Sequence, residues 1–187
     1  MKLNLGCGHE RLDGYLNVDR EGDPDQRWDL EAFPWPWPDG AATEVRLHHV
    51  LEHLGQAPAT YLRILGELYR VCAPDGRVHV TVPHPRHDDF LADPTHVRPI
   101  LAESFHLLSL RRCLDWKARG ISNSPLALWL RVDFEVESVS HLPDPLWLRQ
   151  LQAGTLKAEE LATMATQVNN VIKESTVVLR AVKPFAG

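Results

Sequence analysis

Two groups of residues in this sequence are of types and spacings that do chemistry. The first is Gly6-Cys7-Gly8, directly after the apolar run Leu3-Asn4-Leu5, with Asp19 closing a second run, Tyr15-Leu16-Asn17-Val18. Two glycines one residue apart let a backbone turn sharply and come close to a ligand, because neither carries a Cβ. A carboxylate at the tip of a second parallel strand, beside a glycine turn at the tip of the first, is placed to accept hydrogen bonds from ribose hydroxyls. The second group is P-H-P-R-H-D-D-F-L-A-D-P-T-H-V-R at 83–98, dense in His, Asp and Arg. Histidine titrates near neutrality and can take the proton of a hydroxyl nucleophile. His84 and His96 are the catalytic candidates of this stretch.

The first group narrows the ligand. Arg11 stands where a G-x-G-x-x-G pattern has its third glycine, and Gly6 to Asp19 spans 13 positions, against roughly 20 in a dinucleotide fingerprint. Glu10 and Asp13 repel phosphate. A nucleoside without phosphate fits better, and S-adenosylmethionine, with its cationic sulfonium and amino group, is such a ligand. Two other readings stand beside it: a β-turn with a surface acid, and a dinucleotide-dependent oxidoreductase, which the short span disfavours. His49 and His53 have the i, i+4 spacing of metal ligands on a helix. His84, His87, Asp88 and His96 match no ligand pattern. No metal site is predicted.

The elements that must hold these groups alternate between strand and helix. Trp28-Asp29-Leu30 reads as a very short third strand, followed by a proline-rich loop whose Trp35 and Trp37 wall a pocket or pack over the sheet edge. Thr43 to Leu47 is a fourth strand. A helix starts at Pro58, a good first-turn residue, and runs to Cys72 on apolar spacing. Ala73-Pro74-Asp75-Gly76 is a turn; Val78, Val80 and Val82 alternate through a fifth strand. Residues 101–114 read as a helix, Val132 to Val136 as a strand, and Leu142-Pro143-Asp144-Pro145 as a break. Leu161 to Ile172 carries a helical stripe and Thr176 to Val182 a last strand. Such alternation implies a parallel sheet with helices on its faces. Ligands bind at the carboxyl ends of such strands, so the glycine turn, Asp19, Asp29, His48 and Pro83 should share one cleft.

L-N-L-G-C-G with N-V-D downstream resembles the first two motifs of the class I S-adenosylmethionine-dependent methyltransferases. E-V-R-L-H-H-V-L-E-H-L at 44–54 and L-Y-R-V-C-A-P-D-G-R-V-H-V-T-V-P at 68–83 match the same family in the same order. The similarity covers roughly Lys2 to Pro83 well and the remainder in outline. It implies a doubly wound, mostly parallel seven-stranded α/β sheet whose last strand runs antiparallel between its neighbours. The helices that usually precede the first strand are missing here. It also implies S-adenosylmethionine as cofactor, with Gly6, Cys7, Gly8, Asp19, Asp29, Leu30, His48 and His49 around it. Asp29 and Leu30 stand at the adenine position, and His48 and His49 beside the methionine part. Glu52 and His53 are expected to cap and tie down the next element. His84 is nearest in sequence to where the methyl group should lie; His96 is placed to fold back over the cleft.

Bulk properties agree. A chain of 187 residues with 44% hydrophobic content suits one domain, 1–187; the resemblance implies a substrate-side loop and helix insertion in it at about 84–130. Net charge is −5, with no basic stripe beyond Arg111, Arg112, Lys117 and Arg119, so nucleic acid is not the expected partner. No apolar run reaches the length of a membrane span. Three scattered cysteines, and an N-terminus that enters a strand at once, point to a reducing, cytoplasmic setting. The expected activity is methyl transfer to an oxygen or nitrogen of a small molecule, a sugar or secondary metabolite. The alternative is a non-catalytic nucleotide-binding or scaffold domain of the same fold. The sequence carries no signal for oligomeric state.

Overall fold

The computed structural model describes all residues, Met1–Gly187. Seven strands form one mixed sheet: β1 (Lys2–Leu5), β2 (Leu16–Asp19), β3 (Gln26–Arg27), β4 (Ala42–His48), β5 (Cys72–Pro83), β6 (Phe134–Pro143) and β7 (Ile172–Ala181). Their order is β3-β2-β1-β4-β5-β7-β6. The first five are parallel, and β7 runs antiparallel between β5 and β6. The order turns back between β1 and β4, where an open sheet forms its ligand crevice.

Register places most of the large apolar strand residues on one face. Leu3 pairs with Val45 and Leu5 with Leu47; Val45 and Leu47 pair with Val78 and Val80; those pair with Leu179 and Val177. Helix α1 (Pro58–Val71) joins them in the core through Ile64, Leu65 and Leu68. Phe105 and Leu108, from a 3-10 segment over Ala102–Leu108, are buried in the same core.

The other face is polar. Arg46, His48 and Arg77 are exposed there, and Glu44, His79 and Arg180 half-buried. Ion pairs cross it: Lys2 to Glu44 at 3.0 Å, Arg77 to Glu137 at 2.8 Å and Arg180 to Asp75 at 2.8 Å. No helix lies between β1 and β2 or between β2 and β3. A buried amide pair holds these loops instead: Asn4 Nδ2 donates to Asn17 Oδ1 and to the Glu10 carbonyl, and Asn17 Nδ2 donates to Asp25.

Local details depart from the sequence reading. The third strand is Gln26–Arg27, so Trp28, Asp29 and Leu30 follow it as loop. The region read as a helix over 101–114 is the 3-10 segment and a separate helix α3 (Leu110–Ala118), because Ser109 is extended and caps α3 by accepting from Arg112 N. Three further helices are α2 (Asp88–Leu91, in the loop after β5), α4 (Leu126–Leu130) and α5 (Pro145–Gln152). Strand β6 runs on to Pro143 at the sheet edge, where proline is tolerated. The last helix, α6 (Ala158–Gln167), ends before Val168, and Ile172 already opens β7.

Candidate functional site

The turn after β1 has the geometry its glycines suggest. Gly6 lies at φ +67°, and a Cβ there would come 2.4 Å from Val50 Cγ2. Only glycine fits. Gly8, at φ +49°, donates its N–H to Asp19 Oδ2 at 2.8 Å, and Asp19 Oδ1 accepts from Glu21 N at 2.9 Å. The carboxylate is therefore held by backbone donors from both sides, with lone pairs left over.

A cavity of about 350 Å³ opens beside it, lined by Gly6, Asp19, Asp29, Leu30, Glu31 and His49 among others. Trp28, Arg20, Val50, His53 and Leu54 complete it. A smaller-walled recess with Gly8, His9 and Gly22 shares Asp19 and Arg20. Three carboxylates against one arginine suit a ligand that has hydroxyls and positive charge; they disfavour phosphate. Asp29 Oδ1 accepts from Glu31 N at 2.8 Å, and Glu31 Oε1 accepts from Gly55 N at 2.7 Å. Trp35 and Trp37 do not line the cavity. Both are buried in the core, their indole N–H groups bound to the Leu30 carbonyl and Gln26 Oε1. The tryptophan of the cavity is Trp28, which the sequence reading assigned to the third strand with no part in a pocket.

The two histidines at the end of β4 part company. His48 keeps the strand alternation, so its side chain goes to the polar face, with Nδ1 3.2 Å from Glu10; it is not in the cavity. His49 leaves the alternation at φ +54°, a strained value for a side chain of this size. It does line the cavity. Its Nε2 lies 3.0 Å from Glu174 and its Nδ1 3.4 Å from Glu52. Those carboxylates raise its pKa, with Glu52 the largest cause and partial burial opposing them. Cys7 is also turned inward: it is buried, its Sγ near the Gly8 carbonyl and its N–H on Val18 O.

His84 belongs to a second cavity of about 460 Å³, whose lining includes His141, Glu103, Ala162, Leu161 and Ser175. The two cavities share no lining residue. The single cleft expected from the sequence is thus divided, because Pro83 and His84 follow β5 to the side where α6 and β7 close over them. Burial lowers the His84 pKa, with His141 and Arg86 adding to the effect. Its Nδ1 accepts from Arg86 N at 3.3 Å, so the neutral ring carries its proton on Nε2.

His96 is elsewhere. The 83–98 loop folds back over the end of β4, where Val97 N and Arg98 N donate to the Glu52 carbonyl. This sets the His96 ring 4.6 Å from that of His53 and stacks it on Phe90 at 5.2 Å. His96 Nδ1 lies 2.7 Å from the Phe90 carbonyl, which leaves Nε2 with a free lone pair. Glu52 does not cap an element: its side chain is 1% exposed and neither oxygen has a hydrogen-bond partner. No helix is long and apolar enough to cross a membrane.

Neither a protein-family model nor a curated protein matches the sequence. Solved structures do match the fold. A SAM-dependent methyltransferase from Archaeoglobus fulgidus is 18% identical with a TM-score of 0.60, over 96% of this chain and 85% of that one. The 1,6-didemethyltoxoflavin-N1-methyltransferase of Burkholderia thailandensis, solved with bound 1,6-didemethyltoxoflavin and S-adenosylhomocysteine, is 12% identical with a TM-score of 0.54, over 97% and 71%. The [4+2]-cyclase SpnF is 16% identical with a TM-score of 0.51, over 97% and 75%. The fold is that of the class I S-adenosylmethionine-dependent methyltransferases.

Proposed function

We propose that this chain, which has the class I methyltransferase fold, binds S-adenosylmethionine in the first cavity and transfers its methyl group to an oxygen or nitrogen of a small molecule. The observation that carries the reading is Asp19: a carboxylate fixed by Gly8 N–H and Glu21 N–H, at the rim of a cavity that Gly6 leaves open. In this reading residues 1–187 are one cofactor-binding domain, and 84–130 supplies much of the acceptor side.

The roles follow from the donor set. Asp19 accepts from the ribose hydroxyls. Asp29 and Leu30 face the adenine, with Trp28 as an apolar wall. The Gly6-Cys7-Gly8 backbone passes under the ligand, and His49 and Glu31 border its amino-acid end. When bound, the cofactor supplies an electrophilic methyl group that leaves sulfur as a new bond forms in line. The chain's part is alignment of the two partners, which accounts for most of the rate in such a displacement. A second cavity with apolar walls and His84, His141 and Glu103 at its polar side suits a small acceptor. His84 there presents Nε2–H, a hydrogen-bond donor that orients the acceptor. His96 presents a lone pair, the form able to take up a proton or hold a cation.

Calorimetry tests the cofactor. S-adenosylmethionine or S-adenosylhomocysteine should bind, and tighter binding of NAD than of either overturns the reading. Incubation with methyl-labelled cofactor and fractionated small molecules then identifies the acceptor. A second reading has one observation in its favour: the fold is shared with a [4+2]-cyclase. It predicts cofactor binding with no label transferred to any fraction. Cytoplasmic residence belongs to this proposal too, and rests on three buried free thiols.

A further inference from the structure

Glu52 has no role in methyl transfer as described above, and its environment is unusual. A carboxylate 1% exposed ordinarily has an arginine, a lysine or several N–H donors on its oxygens. Here neither oxygen has a hydrogen-bond partner. His49 Nδ1 comes to 3.4 Å without making a hydrogen bond. Arg98 makes no ion pair with it: the guanidinium stacks on Tyr61 at 4.2 Å and donates to the Gly55 carbonyl, and its buried Nε has no partner either. A buried carboxylate without a hydrogen bond, faced only by the His49 imidazole at 3.4 Å, is costly unless a further cation completes it.

Two imidazoles stand beside it. One donor atom from each of Glu52, His53 and His96 lies within 4.8 Å of the others. Each ring makes a hydrogen bond through Nδ1. His53 Nδ1 is 2.9 Å from Thr95 Oγ1, whose own proton goes to Asp93 Oδ1 at 2.6 Å, so the imidazole must be the donor. His96 Nδ1 donates to the Phe90 carbonyl at 2.7 Å. In both rings Nε2 is therefore the unprotonated nitrogen. The nearest competitor for His96 Nε2 is Asp93 Oδ2 at 3.8 Å, beyond hydrogen-bond reach. Histidines that ligate metals have this arrangement: the second nitrogen donates to a carbonyl, a carboxylate or a hydroxyl chain, which fixes tautomer and ring direction.

We propose that Glu52, His53 and His96 form a three-ligand site for a divalent transition metal, with zinc the reference ion. Two imidazoles and a carboxylate with open positions are a donor set for zinc and its neighbours and not for magnesium or calcium. Donors about 2.1 Å from a tetrahedral ion are about 3.4 Å apart, so the three, now within 4.8 Å of one another, draw together by up to about 1.4 Å on binding. His53 also lines the first cavity, so the open coordination positions of an ion held here face that cavity and are left to water or to the ligand bound in it. The site itself does not rest on the methyl-transfer reading.

The test uses the full chain, stripped with chelator and titrated with Zn²⁺ against a chromophoric competitor, then with Co²⁺ by visible absorption. One Zn²⁺ per chain is expected, with a Co²⁺ spectrum of low-coordinate geometry. His53→Ala and His96→Ala should each weaken binding by 100-fold or more. Glu52→Gln should melt at a higher temperature than the metal-free wild type, because the bare charge is gone, and should lose the zinc-induced rise. Zinc affinity unchanged in His96→Ala overturns the proposal. So does loss of binding on His49→Ala with His96→Ala unaffected, which assigns the ion to the exposed His48, His49 and Glu174 cluster instead. Calorimetry of S-adenosylmethionine on the stripped protein is a separate readout, so failure of the cofactor reading is told apart from failure of the metal site.

Discussion

The two cavities differ in how they are made. The first is built from short stretches around the ends of β1, β2, β3 and β4, and carboxylates set its character. The second gathers residues 84–86, 101–103, 141–143 and 158–175 and is lined by small and apolar side chains of α6, with polar groups at one side. A cavity whose donors lie close in sequence keeps a fixed electrostatic character whatever packs around it. A cavity assembled from distant segments takes its shape from how a helix lies against the sheet. The first therefore suits an invariant ligand, the second a specific one.

Removing the first cavity's anchor should sharpen this contrast most. Asp19→Ala leaves ligand hydroxyls without an acceptor and should cost about 1.5–3 kcal/mol of S-adenosylmethionine binding, read as the calorimetric dissociation constant in a folded variant. An unchanged constant breaks the assignment. Filling the second cavity comes next. Ala162→Phe should raise the acceptor's KM by roughly tenfold, about 1.4 kcal/mol, while cofactor affinity stays as it was. A parallel loss of cofactor affinity would show that the two cavities are one site. Asp29→Ala should matter less than Asp19→Ala, by about 0.5–1 kcal/mol, since Asp29 is exposed and water can replace it.

The smallest effect is a pH dependence in the second cavity. Burial favours neutral His84, so its folded pKa lies below the ordinary histidine value of about 6.5. The unfolded chain then binds the proton more readily. Stability is undiminished above the ordinary value and falls as pH drops through it toward the lowered one. Melting temperatures from pH 7.5 to 5 should decline less steeply in His84→Gln than in the wild type. Equal slopes would mean that His84 is as well solvated folded as unfolded.

Much of the first cavity was legible in the sequence because its determinants are local. Gly6, Gly8 and Asp19 lie within two strand ends, and their backbone requirements follow from residue type alone. Asp29 and Leu30 were placed by resemblance and line the cavity, although the strand they were assigned to ends one residue before Trp28. The seven-stranded order, with β7 antiparallel between β5 and β6, was likewise expected and is present. The histidines were not separable in the same way. His48 and His49 are neighbours of one type, and only the backbone turn at φ +54° sends one to the polar face and the other to the cavity.

By itself, then, the sequence determined most of the strand pattern and the glycine turn with its acid. These depend on neighbours within a few residues, which the covalent chain already holds together. Tertiary structure alone decided which tryptophan lines the first cavity, that two cavities exist instead of one, and that His96 crosses 43 residues of chain to lie beside His53. It also left Glu52 buried without a hydrogen-bond partner. Such placements come from the closing of a long loop onto a packed sheet, where the position of each side chain is fixed by atoms far away in sequence and by no feature of its own segment.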